Sequence, residues 1–150
     1  MKDEDYEDFR WRNQRFEGGI HTAVELWCTD PAAAKQQYGP IASWDTSEIT
    51  DMVWLFREKA NFNGDISRWD VSSVTNMLSM LKRATSFNGD ISQWDVSNVM
   101  HMEYMLEGAT SFTHQLGGAW STSTASKVWM FYNCPGSIAG KTNNADGTPW

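Results

Sequence analysis

The sequence is short of basic residues, cysteines and long apolar runs. Twelve Lys and Arg stand against nineteen Asp and Glu, a net charge of -7. A surface of that sign repels phosphates, so nucleic acid is not an expected partner. Cys28 and Cys134 lie far apart without CxxC spacing, which leaves no zinc site and no disulfide framework. Two packed thiols are expected, with a single bridge as the alternative. No run of 18 apolar residues occurs, so no membrane-spanning helix is expected. The opening Met1-Lys2-Asp3-Glu4-Asp5-Tyr6-Glu7-Asp8 is acidic where a signal peptide is basic and then apolar, and no anchor is seen. GxSxG, Walker, HExxH and paired-carboxylate patterns are missing, so no enzyme and no cofactor is expected. His21, His101 and His114 show no ligand spacing and read as surface residues.

What the chain does have is bulk and repetition. With 150 residues, nine Trp and eight Met, it can bury one core unaided. Residues 62–80 read FNGDISRWDVSSVTNMLSM and residues 87–105 read FNGDISQWDVSNVMHMEYM. Their first thirteen positions differ only at Arg68/Gln93 and Ser73/Asn98, so a repeat of 25 residues is evident. Ile41, Trp44, Ile49 and Met52 fill the same offsets one step earlier. Phe112 and Leu116 keep the step, while Trp120 falls 26 after Trp94 because of Gly117-Gly118. The last repeat is degenerate, as terminal repeats usually are.

Ile66-x-x-Trp69-x-Val71 has the LxxLxL spacing of a leucine-rich strand, and Val74-x-x-Met77-x-x-Met80-Leu81 suits a helical turn opposite. The expected fold is therefore an α/β repeat: a short right-handed leucine-rich-repeat-like solenoid with a parallel strand face and helical turns behind it. Stacking should place Trp44, Trp69 and Trp94 in one column, Phe62, Phe87 and Phe112 in a second, and Met52, Met77 and Met102 in a third. Asn63-Gly64-Asp65 and Asn88-Gly89-Asp90 read as turns in which Gly supplies a positive φ. Ile20, Ala23, Val24, Trp27 and Cys28 share one helical face, and Asp30-Pro31 starts a second helix stopped by Gly39-Pro40. The expected divisions are an acidic arm over 1–17, a helical cap over 18–40, repeats over 41–135 and a tail over 136–150.

The string FNGDISxWDVSxVTNM strongly resembles the BspA-like leucine-rich repeat surface proteins, also known as the DUF285 repeat family. The lead-in AVELWCTDPAAAKQQYGPIASWDTSEITDM is similar to that of some members, so the resemblance covers roughly residues 20–135. It implies a cell-surface or secreted protein whose repeats bind other proteins, host or matrix components.

The candidate binding surface is the outward strand face: Ser43, Asp45 and Ser47, then Arg68, Asp70 and Ser72, then Gln93, Asp95 and Ser97. Aspartates in a column repel, so a basic partner, a divalent cation or local hydroxyls must offset them. The competing structural reading is that each Asp bonds the Ser two residues on. Asp65 and Asp90 make a second column explained by turns, and Asn143-Asn144-Ala145-Asp146-Gly147 reads as a flexible turn. The expected function is a protein-binding or adhesion-type module. The alternatives are a subunit packed into a larger assembly and a carbohydrate binder using Trp11, Trp54, Trp129 or Trp150.

Overall fold

The computed structural model describes residues 19–141; the arm over 1–17, Trp11, Trp150 and the turn over 143–147 lie outside the described residues. Helix α1 (Gly19–Thr29) buries Ile20, Ala23 and Val24, with Trp27 and Cys28 packed against the same core. Those are the positions whose spacing shares one face of a 3.6-residue helix. Helix α2 (Pro31–Tyr38) starts where the Asp30 carboxylate accepts the Ala33 N–H at 3.1 Å, and Pro31 needs no donor there. It ends at Gly39, whose φ of 80° suits glycine. A 3₁₀ turn over Ile41–Ser43 leads into the repeats.

Segments 25 residues apart lie against one another. The rings of Phe62 and Phe87 stack at 5.9 Å and those of Phe87 and Phe112 at 6.0 Å, with nearly parallel planes. Trp44 stacks on Trp69 and Trp94 on Trp120. Met52, Met77 and Met102 are fully buried, as are Ile66, Ile91 and Leu116. Each such side chain withdrawn from water contributes about 1.5–3 kcal/mol. Every stacked indole also has a polar partner: Trp69 donates to the Ile41 carbonyl at 2.8 Å, Trp94 to Ile66 and Trp120 to Ile91 at 3.0 Å. The buried N–H of these three Trp is thereby satisfied by the preceding segment, and that of Trp44 by the Gly39 carbonyl at 3.0 Å.

The backbone joining these segments is a ribbon of turns rather than a run of extended strands. In the first copy, the N–H groups of Met52, Trp54, Phe56 and Glu58 donate to Asn76, Leu78, Met80 and Lys82 of the next. The intervening Leu55, Arg57 and Lys59 donate three residues back within their own segment. The pattern repeats from Met77, Ser79, Leu81 and Arg83 to His101, Glu103, Met105 and Glu107. Alternation of this kind needs left-handed residues: Trp54, Ser79, Tyr104 and Trp129 form one such column, and Glu58, Arg83, Gly108 and Asn133 another. A non-glycine residue there costs roughly 1–2 kcal/mol, which the cross-segment bonds offset.

Pairing accordingly falls elsewhere than the sequence suggests. Isolated parallel bridges link Asp51, Asn76, His101 and Ser126, and regular strands occur only at β1 (Gln115–Leu116) and β2 (Ser137–Ile138), paired in parallel, among the described residues. Over 66–74 the chain turns twice, with Trp69 N–H bonding Ile66 and Val74 N–H bonding Val71. Asp65 and Asp70 hold the N–H groups of Ser67 and Ser72, so those amides are not free for a strand ladder.

One further reading is corrected. Gly64 and Gly89 do not have positive φ; a Cβ on either would lie 2.8 Å from the ring of Phe62 or Phe87. They are glycine because the backbone crosses an aromatic edge. The chain beyond residue 135, expected as a tail, contributes to the pairing. The turn at Cys134-Pro135-Gly136 brings Ser137–Ile138 beside Gln115–Leu116, and Ile138 is buried in line with Leu116.

Candidate functional site

Two columns of aspartates run along the turns, one just before the Val71 and Val96 positions and one just before Ile66 and Ile91. In the first, Asp45 accepts from the N–H and hydroxyl of Ser47 at 3.0 and 2.6 Å, Asp70 from Ser72 at 2.9 and 2.6 Å, and Asp95 from Ser97 at 3.0 and 2.6 Å. In the second, Asp65 holds Ser67 and Asp90 holds Ser92 in the same way. The geometry recurs because the local rule recurs: an Asp two residues before a Ser closes its own turn. The hydroxyls offset the column of like charge. Donation from Ser67, Ser92 and Ser97 holds the carboxyls of Asp65, Asp90 and Asp95 below the ordinary aspartate value.

The nine residues expected on the outward face differ in exposure. Ser43, Arg68, Asp70, Gln93, Asp95 and Ser97 are exposed, while Asp45, Ser47 and Ser72 are half-buried. Cross-segment bonds fix the column: the buried Thr46 hydroxyl donates to the Asp70 carbonyl at 2.9 Å, and the Asn98 amide to the Ser72 carbonyl at 2.7 Å. A depression of about 410 Å³ bordered by Pro40, Ser43, Trp44 and Arg68 lies at one end of it. Chemically the surface offers carboxylates, hydroxyls, one amide and one guanidinium, all held on rigid turns. No group of three His, Cys, Asp or Glu is placed to hold a metal ion among the described residues.

The other candidates have local roles. Cys28 and Cys134 are free and half-buried; burial raises the Cys28 thiol and pushes Cys134 up to about 11. Trp54 is 55% exposed, with the Arg57 guanidinium 4.9 Å from its ring, and Trp129 packs edge-on against Tyr132. A second cleft, of about 330 Å³, lies between α1 and the first repeat, beside Trp27, Cys28, Lys59 and Phe62.

Sequence reasoning missed the histidines and asparagines. His21 bonds the Val53 carbonyl at 2.8 Å, His114 bonds the Asn88 carbonyl at 2.9 Å and His101 meets Glu103 at 2.9 Å. Asn63 accepts the Asn88 N–H, and Asn88 accepts the Thr113 N–H, a side-chain ladder along the stack. The recurrence of Asn at the 25-residue step was the available signal.

These features define a chain of recurring 25-residue segments held by ring columns and Asp–Ser turns. It belongs to the family described as Mycoplasma protein of unknown function, DUF285, which matches residues 29–144. No curated protein and no solved structure matches it. No helix among the described residues is long and apolar enough to cross a membrane.

Proposed function

We propose that this chain is a binding module without catalytic activity, a short right-handed leucine-rich-repeat-like solenoid of the BspA type, and that its polar column engages another protein or a surface component. The observation that carries the reading is the Asp45, Asp70 and Asp95 column. Side chains already held in one geometry lose little entropy on binding. Arg68 and Gln93 supply donors beside those acceptors, which gives the surface a pattern rather than a single charge.

The test compares the full chain with a variant carrying Arg68→Ala, Asp70→Ala, Gln93→Ala and Asp95→Ala. The reading expects an unchanged circular dichroism spectrum and loss of the partners captured by the unaltered chain from source-cell surface extract. Equal capture by both chains contradicts it.

A second reading, a subunit of a larger assembly, is favoured by the exposed Val128 and Tyr132 near the last repeat. Sedimentation equilibrium separates the two, since a monomer over a wide concentration range speaks against self-assembly.

A further inference from the structure

The cleft of about 330 Å³ between α1 and the first repeat uses no residue of the aspartate column. Its size falls within the range of small-molecule sites, about 300–1,000 Å³. Trp27, Cys28 and Pro31 line it from the two helices, and Lys59, Phe62 and Asn63 from the first repeat. Phe62 is stacked with Phe56 and with Phe87, which makes it a fixed wall.

Lys59 and Asn63 bring donors to this cleft. Position 59 is a lysine where the next two copies of the repeat have Ala84 and Ala109, both buried. Stacking therefore does not call for a charge at this step. The Lys59 ammonium pairs with Glu25 of α1, and an ammonium carries donors beyond that single contact. Asn63 opens the side-chain ladder: the Asn88 N–H donates to its Oδ1 at 2.9 Å, and the Thr113 N–H to the Asn88 Oδ1 at 3.1 Å. Each of those amides points to the segment before it, so the Asn63 N–H, at the same position, points out of the stack on the side where the cleft lies. Tyr38, one step before Asn63, has no side-chain carbonyl to offer, and the Asn63 N–H meets no acceptor among the described residues.

We propose that this cleft binds a small aromatic carboxylate, with its oxygens on the Lys59 ammonium and the Asn63 N–H and its ring against Trp27 and Phe62. The charge follows from the donors. A carboxylate is an acceptor at both oxygens and can be shared between an ammonium and an amide, whereas a neutral amide would turn its own donors toward Lys59. The aromatic body follows from the walls, since the Trp27 and Phe62 rings favour apolar and ring contacts over a wholly polar ligand. Lys59 is the one charged side chain lining the cleft among the described residues, which suits a single acidic group better than a polyanion.

Nuclear magnetic resonance titration of the full chain with phenylacetate, and with phenylacetamide as its neutral counterpart, tests it. Phenylacetate should shift the Asn63 amide and the Trp27 indole resonances saturably and bind about tenfold tighter than phenylacetamide, the gain expected of charge-assisted hydrogen bonds. Lys59→Gln should remove that preference and leave the phenylacetamide affinity unchanged. Phenylacetate should also slow alkylation of Cys28, which lines the cleft, and leave Cys134 unaffected. Absence of saturable shifts at Asn63 and Trp27, equal affinity of the two probes, or an unchanged Cys28 rate overturns the proposal. Those three readouts use the unaltered chain, so they decide the matter whether or not the Lys59 variant folds. Replacing Arg68, Asp70, Gln93 and Asp95 should alter none of them, which keeps failure here distinct from failure of the proposed function.

Discussion

The indole N–H of Trp94 donates to the carbonyl of Ile66, 28 residues earlier, at 3.0 Å. One side chain thus fills the space between two repeats and gives the Ile66 carbonyl, which already accepts the Trp69 N–H, a second donor. Trp94→Ala should cost roughly 3–5 kcal/mol, chiefly through the cavity left between the repeats. Trp54→Ala, at an exposed position held by one Arg57 contact, should cost no more than about 1 kcal/mol. Urea unfolding of both variants checks the contrast.

Glycine is required in two places for different reasons. Gly108 has φ 72°, and a Cβ there would meet the Arg83 side chain at 3.2 Å, so Gly108→Ala should cost about 1–2 kcal/mol. Gly89→Ala should cost about 1–3 kcal/mol by pushing on the Phe87 ring. Arg83→Gly, at φ 59°, should change stability by no more than about 1 kcal/mol in either direction, because strain relief and chain entropy oppose. Thermal unfolding distinguishes the three.

Acid should loosen the aspartate turns. Donation from Ser67, Ser92 and Ser97 lowers the Asp65, Asp90 and Asp95 carboxyls in the folded chain. A depressed carboxylate stabilises the fold above its unfolded value near about 3.9, and that contribution is lost as pH falls through the folded value. Replacing the three serines by alanine should raise the acid-unfolding midpoint, read from tryptophan emission. An unchanged midpoint contradicts the coupling.

Burial leaves Cys134 almost wholly protonated at neutral pH, with its pKa pushed up to about 11. A disulfide exchange reagent at pH 8 should label it far more slowly than a free thiol, and unfolding should abolish the difference. Above the ordinary thiol range the sign reverses for stability: the folded chain keeps a proton that the unfolded chain has lost, so stability falls as pH rises toward 11.

Much of the packing was legible in the residues. Phe62, Phe87 and Phe112 share one offset of the repeat and their rings stack, and the spacing of Ile20, Ala23 and Val24 puts them on one helix face, which is buried. The ribbon was not legible, because Trp, Glu, Ser and Arg carry no preference for left-handed backbone. Cross-segment hydrogen bonds impose it. Gly108 and Asn133 in the same column as Glu58 and Arg83 were the only local hint. The strand expected over 66–71 gave way to turns, since the short Asp–Ser bonds act within two residues and capture the amides first.

The account depends above all on stacking at a 25-residue step, which nuclear Overhauser contacts in the full chain measure directly. Phe87 ring protons should show cross-peaks to both Phe62 and Phe112, and the Trp94 indole N–H should show them to residues around Ile66. Absence of contacts between residues 25 apart, with sharp resolved spectra of a folded chain, would contradict it.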